Sequence, residues 1–225
     1  MVKKIFHGSS SIVETPVFGF GKPNNDYGLG FYCTEDIVLA KEWGVTKTAN
    51  GYANIYNIDL DNLSILSLNS DAFTVLHWLA ILLENRSFDV SSVLALEAKD
   101  YLLKYYLPNY KEYDVITGYR ADDSYFSFAQ DFINGAISVR QLANALRLGN
   151  LGTQFVLKSK KAFNSISFQS YEIAESNQWF AQKEYRDMSA RRQYFDVERN
   201  KRNKNDLYII QILDQEIKAD DLRLR

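Results

Sequence analysis

Three short segments of the chain carry residue types that could bind a small ligand and act on it. His7-Gly8-Ser9 follows the apolar segment Val2–Phe6, Asp26–Thr34 is rich in glycine and tyrosine, and Gln154 precedes an apolar run. Glycine lets a ligand approach main-chain N–H and C=O groups closely. A tyrosine ring offers a face for stacking and for cation–π attraction. The three segments therefore suit a site for a planar ligand that also carries hydrogen-bonding groups.

The composition argues against several other kinds of site. The chain has 225 residues, one cysteine (Cys33), two histidines (His7 and His77) and a net charge of -2. One thiol forms no internal disulfide, which favours a reducing compartment, and a structural zinc site normally needs four Cys or His ligands. The near-neutral charge gives no global attraction to nucleic acid or anionic lipid. With no secretory h-region and no apolar stretch long enough to span a bilayer, we expect a cytoplasmic protein without a membrane partner.

The elements that must position these residues are predicted from hydrophobic periodicity and from turn residues. Strands are expected over Val2–Phe6, Gly30–Thr34, Ala53–Leu60, Tyr113–Gly118, Gln154–Lys158, Ser167–Glu172 and Leu207–Leu213. Helices are expected over Glu35–Trp43 with Thr34 as N-cap, Ala72–Glu84, Val90–Tyr106, Tyr125–Asn134, Ser138–Leu148 and from Gln178 to about Asn205. This pattern predicts an α+β domain over residues 1–175, with a charged helical extension over residues 176–225 packed on it.

Taken together, the three segments and Ala121-Asp122-Asp123 resemble the ADP-ribosyltransferase superfamily, in the branch with a His–Tyr–Glu pattern. The chain is especially similar to a little-characterised bacterial subfamily, of the type called domain of unknown function 3990, with Tyr/Phe-His-Gly-Ser, Asp-Tyr/Phe-Gly-x-Gly-Phe-Tyr-x-Thr and Ala-Asp-Asp segments. The resemblance covers about residues 3–170. It implies an α+β fold in which two small, split antiparallel β-sheets with surrounding helices form an NAD cleft.

The resemblance also implies an activity and roles for the residues. The implied enzyme is a mono-ADP-ribosyltransferase that cleaves NAD, its substrate, and transfers ADP-ribose to a macromolecular acceptor. Cleavage of the nicotinamide–ribose bond passes through an oxocarbenium-like state, as in glycoside cleavage. The resemblance implies a ribose contact for His7 and ring stacking on nicotinamide for Tyr32. For the other residues we expect carboxamide contacts from the backbone at Gly8, a side-chain hydrogen bond from Ser9, an opposite wall from Tyr27, and a tight turn at Gly28 and Gly30 that presents Tyr32.

One position departs from the family pattern. The family places a Glu where this chain has Gln154, which can orient a hydroxyl but carries no charge. The loss of one electrostatic stabiliser costs roughly 10²–10³ in rate in other enzymes. Asp122 or Asp123 could supply the missing carboxylate or deprotonate the acceptor, although an Asp pair before a helix is more often an N-cap.

Several alternatives stay open at this point. Small members of the superfamily are often toxins with a neutralising antitoxin partner, so the acceptor is an unknown protein or nucleic acid. The chain could instead be a non-catalytic NAD- or ADP-ribose-binding module, which Gln154 supports, or an NAD glycohydrolase. The basic run 199–204 is a solvated face or a contact with nucleic acid. We expect Trp43 in the core, His77 in a structural role, and Cys33 facing away from Tyr32 as an inert thiol.

Overall fold

A computed structural model describes residues 1–120 and 123–224; the side chains of Asp123 and Ser124 lie outside this description. Its strands are β1 (Val2–Ser9), β2 (Phe31–Thr34), β3 (Gly51–Asp59), β4 (Ile65–Ser67), β5 (Val115–Tyr119), β6 (Thr153–Leu157) and β7 (Ile166–Ala174). They form one seven-stranded sheet in the order β4-β5-β6-β2-β1-β3-β7. Only β4 and β5 pair in parallel; the other neighbours are antiparallel.

The expectation of two packed antiparallel sheets is therefore corrected to one sheet with a weak junction. β1 and β2 are joined at a single register pair, Phe6 and Thr34, whereas β1 pairs with β3 along its whole length. Near this pair the ring of His7, and not a main-chain donor of β1, contacts the main-chain carbonyl of Tyr32. The junction thus leaves a gap at the strand ends that carry two of the candidate site residues.

The α-helices of the described part flank this sheet. They are α1 (Ile37–Gly44), α2 (Val75–Asn85), α3 (Val93–Tyr105), α4 (Asp123–Ile133), α5 (Val139–Ala145), α6 (Lys160–Asn164), α7 (Ser176–Asp196) and α8 (Ile209–Asp214). Helix α2 is buried along nearly its whole length, and the main apolar core forms around it. A second, smaller core lies around Ile5, Cys33 and Tyr56. Tyr32 packs against the main core and Cys33 lies in the second, so the two side chains face opposite ways, as predicted.

Two local predictions were wrong. The run Leu207–Leu213 does not form a strand; it contains α8, which buries Ile209 and Ile212 on one face and is capped by Gln211, whose Oε1 accepts from the Tyr208 N–H at 2.7 Å. A short apolar run gives no periodicity that separates a strand from a buried helix. Thr34 belongs to β2, and Asp36 is the N-cap of α1 because its Oδ1 accepts from the Val38 N–H at 2.8 Å.

The C-terminal part of the chain makes specific contacts with the rest. On α7, Arg186 forms a two-bond ion pair with the buried carboxylate of Glu42, at 2.9 and 3.0 Å. Tyr194 is fully buried and donates to Asp131 at 2.7 Å. Helix α7 ends at Asp196, earlier than expected, and the domain boundary at residue 175 stays a prediction. Within the described ranges, no helix has the length and apolar character needed to cross a membrane.

Candidate ligand-binding site

A cavity of about 510 Å³ opens beside the junction of β1 and β2. The cavity is lined by most of the candidate site residues predicted from the sequence and by several residues that were not predicted. The lining residues are His7, Gly8, Ser9, Ser11, Val13, Pro16, Val17, Phe20, Gly21, Asn25, Asp26, Gly30, Phe31, Tyr32, Trp43, Arg86, Arg120 and Gln154. The volume lies within the usual range for small-molecule sites, roughly 300–1,000 Å³.

His7 is held in one tautomer by its contact with Tyr32. Its Nδ1 lies 2.7 Å from the Tyr32 carbonyl oxygen, and since a carbonyl only accepts, Nδ1 carries the hydrogen. Burial lowers the pKa of His7 below its ordinary value, although the bond to Tyr32 opposes this shift. The ring is therefore neutral near pH 7, and Nε2 is an acceptor that suits a ligand hydroxyl.

The Tyr32 ring is fixed at its hydroxyl end. The hydroxyl donates to the carbonyl of Gly28 and accepts from the main-chain N–H of Tyr27 at 3.1 Å. Burial raises the pKa of Tyr32, so the hydroxyl stays protonated and keeps donating. The glycine-rich segment therefore holds the tyrosine ring in place at the cavity wall, as the sequence analysis expected of it.

Tyr27 does not form the opposite wall, which corrects that expectation. Its side chain is only 1% exposed, lies in the main core and is absent from the cavity lining. Its hydroxyl donates to the Tyr119 carbonyl at 2.6 Å. The aromatic rings that line the cavity with Tyr32 are those of Phe20, Phe31 and Trp43. Tyr27 instead ties the glycine-rich segment to the core.

Gly8 is required for packing as well as for access to the backbone. A Cβ built on Gly8 would lie 2.0 Å from the carbonyl oxygen of Ala40, so only glycine lets α1 approach β1 this closely. The neighbouring Ser9 hydroxyl accepts from Nδ2 of the buried Asn54 at 3.1 Å. Asn54 also donates to the His7 carbonyl at 3.2 Å, so it holds the end of β1 in shape. The sequence analysis missed Asn54 because nothing in its own segment marks it.

Two buried polar atoms of cavity-lining residues have no hydrogen-bond partner in the described part of the chain. They are Oε1 of Gln154, a side chain that is 6% exposed, and Nε1 of Trp43. A buried polar group without a partner costs about 1–3 kcal/mol, so a small side-chain adjustment that turned either atom towards a bound ligand would recover that cost. Trp43, expected in the core, packs against the core and also lines the cavity.

The charges in the lining come from Asp26, which opens the glycine-rich segment, and from Arg86 and Arg120, which no sequence motif marks. Arg86 follows α2 directly, and its guanidinium lies 3.4 Å from the carboxylate of the buried Asp26. Arg120 follows β5 directly, and its guanidinium lies 3.8 Å from the centre of the Trp43 ring. Two cations and one carboxylate leave a net positive charge among the described lining residues, which favours an anionic ligand.

The remaining candidates lie elsewhere or outside the description. Asp123 begins α4, but its side chain, like all of Asp122, lies outside the described residues. His77 is buried and accepts the Thr74 N–H at its Nδ1, at 3.0 Å, so it caps α2 as a structural histidine. In the basic run, Arg199 pairs with Asp131 and Lys201 with Glu198.

Fold and site together define a mixed α+β protein with a ligand cavity at a break in its central sheet. The chain belongs to the family "Protein of unknown function (DUF3990)", whose model matches residues 3–168. That match spans β1 to β6 and part of β7, and it includes every lining residue of the cavity. No curated protein and no solved structure gave a significant match.

Proposed function

We propose that this protein is a mono-ADP-ribosyltransferase that binds NAD in the cavity at the β1–β2 junction. The observation that carries the proposal is the bond between His7 Nδ1 and the Tyr32 carbonyl, which sets a hydroxyl acceptor beside a fixed aromatic ring. A ribose hydroxyl suits the first group and a planar nicotinamide ring suits the second. The resemblance described above assigns these two roles to the same two residues.

The charges of the cavity support a dinucleotide over a neutral ligand. A pyrophosphate carries two negative charges, and Arg86 and Arg120 are two guanidinium groups in the lining. Guanidinium binds phosphate oxygens through paired, charge-assisted hydrogen bonds. The carboxylate of Asp26 pairs with Arg86 and orients it. A cavity of about 510 Å³, lined by aromatic rings and by a few charged and polar groups, suits a ligand with an aromatic end, a ribose and a pyrophosphate.

The proposed reaction follows from these roles. The bond between the ribose anomeric carbon and the nicotinamide nitrogen breaks, and its electron pair neutralises the departing pyridinium ring. The positive charge that develops on the ribose is stabilised by nearby dipoles and carboxylates. Gln154 offers a dipole through its unpartnered Oε1, and Asp26 is the carboxylate among the described lining residues. The acceptor then bonds to the anomeric carbon and loses a proton.

Gln154 supports a second candidate function. Gln in place of a carboxylate favours slow turnover, so this second candidate is a binding module without catalysis or an NAD glycohydrolase. A toxin with a neutralising antitoxin is an extension of the first proposal and comes from the family resemblance alone.

Label transfer tests the proposal and separates it from the second candidate. The purified protein is incubated with NAD labelled on its adenine, with cell lysate as the source of acceptors. We expect the label to appear on macromolecules and to be lost with Arg120→Gln but not with Arg202→Gln, a change of the same type in the exposed basic run. Release of free labelled ADP-ribose alone would indicate a glycohydrolase. NAD that binds but stays intact would indicate a binding module.

A further inference from the structure

An exposed aromatic ring stands at the mouth of the cavity. Phe20 is 82% exposed, yet it belongs to the cavity lining. It lies between Gly19 and Gly21, whose φ angles are 84° and 139°, in the region that glycine adopts without strain. The Phe20 N–H donates to the Val17 carbonyl at 3.1 Å, which closes the turn. Two glycines and a turn hydrogen bond therefore hold the ring outward beside the ligand site.

The neighbours of Phe20 extend this apolar tip. Val17 is 64% exposed and also lines the cavity, and Phe18 is half-exposed, with its ring packed edge-on to Phe163 at 5.5 Å. Single exposed apolar residues are ordinary, but a contiguous group beside a ligand site marks a contact surface. We name residues 17–20 the aromatic tip.

The charges around the aromatic tip are mainly positive. Lys160, at the start of α6, places its Nζ 5.8 Å from the centre of the Phe18 ring, and Lys22 is exposed two residues after Phe20. Arg120 adds a cation inside the cavity. The acidic residues between residues 10 and 26 are Glu14 and Asp26, and Asp26 is paired with Arg86. Aromatic rings for stacking beside cations for phosphates are what single-stranded nucleic acid recognition requires.

We infer that the aromatic tip binds single-stranded nucleic acid, stacking a base on Phe20, and that this base is the acceptor of the proposed transferase. The binding part stands on the tip itself, whereas the transfer part rests on the proposed function. Phe20 lines the same cavity as His7, the proposed ribose contact, so a base stacked on Phe20 would stand at the mouth of the site that holds the ribose. In the transfer, a nitrogen or oxygen of the base bonds to the anomeric carbon, nicotinamide leaves with the electron pair of its broken bond, and the base releases a proton.

The basic run 199–204 is the weaker nucleic-acid candidate. Arg199 and Lys201 are already in ion pairs with Asp131 and Glu198. The exposed rings on α7 nearest to that run, such as Phe195, line neither the ligand cavity nor its mouth. This run therefore provides the comparison surface for the experiment.

The experiment measures binding of a short fluorescein-labelled single-stranded oligonucleotide by anisotropy, without NAD. Loss of one stacked base weakens binding by about 1–3 kcal/mol, so Phe20→Ala should raise Kd at least about fivefold. Tyr185→Ala, which removes a ring that is 77% exposed on α7, should leave Kd unchanged. The double variant Lys22→Gln/Lys160→Gln should show a weaker salt dependence of binding. The slope of log affinity against log salt concentration should fall in magnitude by about 1.4, at roughly 0.7 for each lost phosphate contact. Lys204→Gln should leave the slope unchanged.

A Kd that is the same for wild type and Phe20→Ala, or a wild type that does not bind the oligonucleotide, overturns the inference. Label transfer from NAD to protein alone overturns the transfer part of the inference, because the acceptor would then not be a nucleic acid base. Since the binding assay contains no NAD, a wild type that binds through Phe20 but releases no nicotinamide contradicts the proposed function and leaves the binding surface supported. Circular dichroism of Phe20→Ala shows whether the fold is retained, and Phe20→Trp, which keeps a stacking face, should bind like wild type.

Discussion

The imidazole Nδ1 of His7 lies 2.7 Å from the main-chain carbonyl oxygen of Tyr32, across the point where β1 and β2 stop pairing. A side-chain contact thus lies where main-chain pairing between the two strands ends, and it fixes the tautomer of His7. This pair links the fold of the chain to the chemistry proposed for it.

The first prediction concerns stability at mildly acidic pH. Burial lowers the pKa of His7 in the folded chain below its ordinary value of 6.5, so in the pH window around and below 6.5 the unfolded chain binds more protons than the folded chain. The free energy of unfolding should therefore fall as pH falls through this window, by up to about 1.4 kcal/mol for each unit of lowering. Urea unfolding at several pH values measures it.

His77 provides the control, because burial also lowers its pKa. His7→Gln should make the free energy of unfolding depend less on pH. His77→Gln should remove only the contribution of His77 and leave the contribution of His7 in place. The same pH dependence in wild type and His7→Gln would contradict the assignment.

Gln154 governs the second prediction. Gln154→Glu should raise the rate of nicotinamide release at least about tenfold with little change in KM, because a charge stabilises the developing cation better than a dipole does. Gln154→Met, which keeps the length of the side chain, should lower the rate. Single-turnover kinetics with NAD separates the two effects, and a Gln154→Glu variant that folds normally but is no faster would refute the role.

Arg86 and Arg120 govern the third prediction. A charge-assisted hydrogen bond contributes about 1.5–3 kcal/mol, so either Arg→Gln change should weaken binding of ADP-ribose about 10-fold or more. Binding of nicotinamide alone, which has no phosphate, should change little. Calorimetric titration with both ligands makes the comparison. Equal losses for the two ligands would mean that these arginines shape the cavity instead of binding phosphate.

The fourth prediction concerns Gly8. A Cβ at this position would lie 2.0 Å from the Ala40 carbonyl oxygen, which belongs to the backbone and cannot rotate away. Gly8→Ala should therefore destabilise the protein by about 3 kcal/mol or more, since overpacking costs about 1–3 kcal/mol even where side chains can adjust. Ser10→Ala, at an exposed position nearby, should change stability by less than about 0.5 kcal/mol. Similar unfolding midpoints for the two variants would show that α1 tolerates the methyl group.

The parts of the fold predicted from sequence are those with a local signal. The strands around His7 and Tyr32 were predicted because an apolar run ends at a glycine or follows one. Leu207–Leu213 was predicted as a strand because an apolar run of this length fits a strand and one buried helix face equally well. Tyr27 was predicted at the cavity by its closeness to Tyr32 in sequence, yet its ring turns into the core.

The charged part of the site had no local signal. Arg86 follows a buried helix and Arg120 follows a strand. The sequence around each one does not distinguish it from an ordinary surface arginine. Only the three-dimensional packing of α2 and β5 brings them to one cavity. Trp43 is a second example. Helical periodicity predicts that its side chain is buried, but it does not predict that the buried side chain also lines the ligand cavity.

Nicotinamide release from NAD is the most direct test of the central claim, that the cavity at the β1–β2 junction cleaves NAD. Wild type is compared with Tyr32→Leu, which removes the stacking face, and with Tyr113→Leu, a half-buried tyrosine outside the cavity lining. We expect release by wild type and Tyr113→Leu, faster release by Gln154→Glu, and a loss of release with Tyr32→Leu. No release from wild type or from Gln154→Glu, or equal release from wild type and Tyr32→Leu, would contradict the claim.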